Sequence, residues 1–68
     1  MVNTLKLKAA MVEKNKTRRD LAEAIGISEK TFTDRMKKAV FGSDEIAIIV
    51  SLLDIKDPVP IFFPEWVT

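Results

Sequence analysis

The stretch TRRDLAEAIGISEKTFTDRMKK, residues 17–38, decides how this 68-residue chain is read. Thr17 opens a helix, and Asp20 three residues later makes a weak capping box with it. Leu21, Ala22 and Ile25 form the buried face of that short helix. Gly26 ends it, because glycine readily takes the left-handed conformation just past a helix C-terminus. Only Ile27 separates Gly26 from Ser28, a good N-cap, so a second helix starts at once and runs to about Lys38. Phe32 and Met36 are i, i+4 partners on its inner side, while Glu29, Lys30, Thr33 and Asp34 lie mostly away from that apolar face. The result is two short helices, a glycine turn and an outward polar surface. Ala22 is small where the second helix crosses, and Ile25 and Ile27 plug the angle. Arg18 and Arg19 occupy a first turn, where the helix dipole disfavours cations unless an anion lies nearby.

Working outward, Asn3 or Thr4 caps a preceding helix that runs to about Asn15, with Leu7, Ala10 and Met11 on one face. Beyond Lys38, Ser43 is expected to cap a further helix, with Asp44 and Glu45 in its positive first turn. From Ile46 to Leu53 only Ser51 is polar, so this helix should be buried on more than one side. Pro58, Pro60 and Pro64 then forbid a long helix, although Asp57–Pro58 can start a short turn of one. No repeat, low-complexity tract or Gly/Ser linker divides the chain, which reads as a single domain over residues 1–68 with an apolar tail over 57–68.

Composition narrows the function. The chain has no Cys and no His, which removes disulfides, thiolate nucleophiles, the usual general base and the common zinc ligands. With two glycines it has no Gly-rich phosphate loop. These absences argue against an enzyme, a metal site or a bound cofactor, and no small-molecule substrate is expected. No apolar run approaches the roughly 20 residues of a membrane span, and no signal-like stretch follows Lys6 and Lys8, so a cytoplasmic location is expected. The net charge of +1 conceals an asymmetry. Residues 1–38 carry ten basic against five acidic side chains, a net of +5, whereas residues 39–68 carry one basic against five acidic, a net of −4. Such a division suits a polyanion-facing surface with a second face kept for something else, although lysines that merely solvate helices would give the same count.

The words from Thr17 to Ser28, with Leu21-Ala22 and Gly26-Ile27-Ser28 inside them, resemble the helix-turn-helix of the phage Cro and repressor families. These belong to the larger group of xenobiotic-response-type bacterial regulators. The Leu7/Met11 helix, the Phe41 loop and the Ile46–Leu53 helix extend the likeness over about residues 3–55. The Phe-rich ending is similar to that of small Cro-like proteins from phages of Gram-positive bacteria. The resemblance implies an all-α, lambda-repressor-like domain of four to five short helices. It implies a sequence-specific transcriptional repressor that binds a palindromic operator in double-stranded DNA, as a homodimer at least on DNA. The alternatives are an antitoxin-type autoregulator, or a protein-interaction module that binds another regulator through its Phe/Trp tail. Family members commonly pair an Arg in the first helix with a Glu at the end of the recognition helix. Met11 and Met36 stand at those positions here, an exchange that need not disturb the fold.

By the same resemblance, Glu29, Lys30, Thr33 and Asp34 face base edges in the major groove. Lys30 would donate to guanine O6/N7, Glu29 would accept from cytosine N4, and the Thr33 methyl would meet thymine. Glu29 equally fits a dipole-complementing first-turn acid, and Asp34 better fits a helical ion-pair partner of Lys37 or Lys38. Arg18 matches the family's phosphate contact at a helix N-terminus, and Thr17, Ser28, Lys37, Lys38 and Ser43 would complete the phosphate clamp. Phe62, Phe63 and Trp66 are expected either to fold over the core or to contact a partner copy.

Overall fold

A computed structural model describes residues 1–67; Thr68, the end of the expected tail, lies outside them. Among the described residues the chain is all-helical: α1 (Thr4–Glu13), α2 (Arg18–Ile25), α3 (Glu29–Lys38), α4 (Ser43–Leu52), α5 (Val59–Phe62) and a 3-10 turn over Pro64–Trp66. The number of short helices agrees with the sequence reading, and most of their ends have the expected chemical cause.

Asn3 caps α1 by accepting the Lys6 N–H at 3.1 Å. α1 stops at Glu13, two residues before the expected end, because Asn15 turns left-handed at φ 57° and the Lys16 N–H returns to the Met11 carbonyl at 2.8 Å. α2 has a full capping box. The Asp20 N–H donates to the Thr17 hydroxyl at 3.1 Å, and the Thr17 N–H donates to the Asp20 carboxylate at 2.8 Å. Gly26 closes the helix at φ 89°, with its own N–H and that of Ile27 both bonded to the Ala22 carbonyl. Ser28 caps α3 by accepting the Thr31 N–H at 3.0 Å.

Two caps differ from expectation. Gly42, not Ser43, is the N-cap of α4, and Ser43 is its first helical residue. The reason is Glu45, whose carboxylate reaches back to the Gly42 N–H at 2.7 Å and fixes the helix start one residue earlier. A short turn does follow Asp57–Pro58, but it starts one residue later than read, at Val59 with Pro58 as its N-cap, and the Val59 N–H donates to the Asp57 side chain at 3.2 Å.

One core joins every helix. Leu7, Leu21, Phe32, Ile49 and Leu53 are its fully buried side chains, with Met11, Ala22, Met36, Phe41 and Phe62 around them. The Phe32 and Phe41 rings lie 5.5 Å apart in a tilted pair, so the loop after α3 is pinned to the middle of that helix. α2 packs on both α3 and α4, and α5 lies against α1. The N-terminal backbone is threaded into this assembly: the Val2 N–H donates to the Ala39 carbonyl and the Asn3 N–H to the Ile61 carbonyl. Burial of α4 is less complete than its composition suggests. Glu45 and Ile49, continued by Leu53 just past its end, form its inward line, Ile48 and Leu52 are half-buried, and Ala47 and Ser51 are exposed. No helix among the described residues is long and apolar enough to cross a membrane.

Candidate nucleic-acid interface

The outer surface of α3 is built by its inner one. Phe32 and Met36 are buried four residues apart, which rolls Lys30, Asp34 and Lys37 outward along one exposed row. Thr33 sits beside that row, half-buried. Glu29 occupies the first turn and Lys38 the last, both exposed. The side chains expected to read bases and two of those expected to hold phosphate thus lie on one short helix. That helix carries three cations in its final turn, Arg35, Lys37 and Lys38.

Among the described residues Asp34 forms no ion pair with Lys37 or Lys38, contrary to the expected helical pairing. All three side chains are exposed, where holding two long side chains together gains little over water. They remain a separate acceptor and two separate donors on the exposed surface of the helix.

The N-terminus of α2 has a different character. Arg19 is turned along its own helix toward Glu23, 3.5 Å away. Arg18 makes no ion pair among the described residues and stands exposed in a turn whose backbone N–H groups point out of the helix. The Thr17 N–H and the Asp20 carboxylate are committed to each other, and that N–H holds the Asp20 carboxyl below its ordinary value. The Thr17 hydroxyl oxygen accepts the Asp20 N–H, and the hydroxyl also helps to hold the Asp20 carboxyl low. The Ser28 hydroxyl is engaged as well, donating to Thr31 at 2.9 Å while accepting the Thr31 N–H. A phosphate at Ser28 would have to displace that bond. Ser43 is exposed at the start of α4, close in sequence to the cations that end α3.

The tail residues part company. Phe62 is buried in the core, whereas Phe63 is half-buried and stacks on Trp66 with ring centroids 4.6 Å apart. Trp66 itself is 68% exposed. A second apolar area lies between α2 and α4, a shallow groove lined by Ala24, Ala47, Ile48, Ser51 and Leu52.

Sequence reasoning missed one pair altogether. Arg35 of α3 is joined by an ion pair to the carboxylate of Glu45 in α4, and Glu45 is buried. Spacing rules connect neighbours on one helix, so they carry no signal for two residues that meet only after two helices pack.

Comparison with protein-family models, curated proteins and solved structures returned no match. Among the described residues the geometry defines an all-helical structure with a short capped helix presenting a charged outer row.

Proposed function

We propose that this chain is a helix-turn-helix DNA-binding regulator that lays α3 in the major groove of double-stranded DNA. The observation that carries the reading is the α2–Gly26–α3 unit. A left-handed glycine joins two capped short helices, and the second directs Lys30, Asp34 and Lys37 away from the core. Lys30 and Thr33 act as base readers, while Arg18, Lys37 and Lys38 hold phosphates, helped by the Thr17 hydroxyl and the start of α4 at Ser43. An anion beside Arg18 also accounts for an unpaired cation at the positive end of a helix. The role is that of a Cro-like repressor, which occludes a promoter by occupying a palindromic operator.

A single short helix reads too few base pairs for a specific site, so two copies bind half-sites about 34 Å apart. The groove along Ala24, Ala47, Ile48 and Leu52, with the exposed Trp66, supplies apolar surface for that pairing. The same exposed Trp66 favours a second reading, in which the tail docks on another regulator. Gel-shift titration against random duplexes at two salt concentrations separates the two. DNA binding that weakens steeply with salt supports the first reading, and no shift at either salt supports the second.

A further inference from the structure

Glu45 is the buried charged side chain of the core, 8% exposed, and DNA contact by α3 assigns it no task. Its carboxylate is divided between two elements. Oε1 accepts the Gly42 N–H at 2.7 Å, and Oε2 meets Nη1 of Arg35. Gly42 leaves room for this, since a Cβ there would stand 3.4 Å from Oε1 and 3.0 Å from the Asp44 carboxylate. Arg35 is also bound through its backbone, as its carbonyl accepts the Val40 N–H at 3.2 Å. Helical geometry places Arg35 roughly 140–160° around α3 from Lys30 and Lys37, on the side away from the outward row.

Resting on the DNA-binding reading above, we infer that Glu45 is a positioning residue for sequence recognition. It fixes the roll of α3 through Arg35, and it withholds the Arg35 guanidinium from the DNA backbone. Arginine presents a fork of donors that suits phosphate as well as carboxylate. The Arg35 side chain is 35% exposed, so without its carboxylate partner it can turn outward. α3 already carries Lys30, Lys37 and Lys38 toward solvent. One more free cation adds affinity for any duplex and none for a particular sequence. The pair therefore keeps the last turn of α3 from gripping DNA indiscriminately, while the Gly42 bond holds the following loop in place.

Glu45→Gln tests this with little disturbance, because glutamine also completes a capping box and only the charge is lost. The full chain is titrated across a salt series against its selected duplex and against a scrambled duplex of equal length. The variant should bind the scrambled duplex more tightly, with a salt dependence steeper by about 0.9 per bound copy. The ratio of selected to scrambled affinity should fall by about tenfold, the size of one lost base discrimination. Adding Arg35→Gln should return the salt slope to that of wild type, which loosened packing alone would not do. A Glu45→Gln protein with unchanged slope overturns the inference, whether or not its ratio falls. If that variant does not fold by circular dichroism, Arg35→Met replaces it. That protein should keep the wild-type slope and lose preference, and full preference would overturn the positioning role. Wild type that binds neither duplex is a separate result: it removes the DNA-binding reading, and this inference with it.

Discussion

The two halves of this molecule are held by different mixtures of local and long-range bonds. In α2 and α3 the caps join residues three to five apart: Thr17 with Asp20, Ser28 with Thr31, and Gly26 and Ile27 with Ala22. From α4 onward local caps, Gly42 with Glu45 and Asp57 with Val59, are joined by long-range fastenings, with Glu45 reaching Arg35 and the backbone of Asn3 reaching Ile61. Their outer surfaces differ as well. The α3 row is charged, whereas α4 and the tail expose Ala47, half of Ile48 and Leu52, and Trp66. The contrast teaches that the first half is fixed largely by local chemistry and turns a charged row outward, while the second adds long-range packing and leaves apolar surface exposed.

Aromatic truncation should expose the contrast most strongly. Phe32→Ala removes a fully buried ring from the local half and should cost about 3–5 kcal/mol in urea unfolding, enough to unfold much of the protein. Met11→Ala and Met36→Ala, each 6% exposed, should each cost about 2–5 kcal/mol. A loss under about 0.5 kcal/mol for both methionines, as at ordinary surface positions, would contradict the burial that rolls α3 outward.

Two left-handed helix ends give a finer comparison. α2 ends on Gly26 at φ 89° and α3 on Ala39 at φ 57°. Nothing lies within 4 Å of a Cβ built on Gly26, so Gly26→Ala isolates backbone strain and should cost about 1–2 kcal/mol. The reverse exchange, Ala39→Gly, should raise stability by about 0.5–1 kcal/mol, strain relief being partly offset by the freer unfolded chain. Thermal melts of the two variants moving in the same direction would break the comparison.

The capping box of α2 comes next in size. Thr17→Ala should cost about 1 kcal/mol. Asp20 adds a pH signature. Its folded carboxyl titrates below the ordinary 3.8, chiefly because it accepts the Thr17 N–H. Its contribution is therefore complete above the unfolded value and fades as pH falls through the folded one. The stability advantage of wild type over Asp20→Asn should shrink below about pH 4 and hold steady above it. Trp66→Ala closes the series, with a change under about 0.5 kcal/mol in monomer stability because the ring is mostly in water. If the tail pairs copies, the same variant weakens association in sedimentation.

The same contrast explains what could be read in advance. The α2–Gly26–α3 unit was legible because caps, plug residues and the Phe32/Met36 period are all local signals. The start of α4 was misplaced by one residue because Ser43 is a good cap in isolation, and only Glu45 folding back selects Gly42. The Arg35–Glu45 pair left no trace in spacing, and Asp34 showed a helical pairing rule that solvent defeats. In the tail, Phe62 and Trp66 look alike as letters, and only packing decides that one is buried and the other exposed.

The outward row of α3 is best tested by titrating wild type, Lys30→Ala and Lys37→Ala against the selected duplex and its single-base variants at fixed salt. Lys30→Ala should cost roughly 1–3 kcal/mol per half-site on the selected duplex and relax preference at one base pair. Lys37→Ala should weaken every duplex alike, and a companion salt series should flatten by about one unit of slope. If Lys30→Ala keeps the full wild-type preference while Lys37→Ala loses it, the roles of reader and holder are reversed and the face assigned to DNA is wrong.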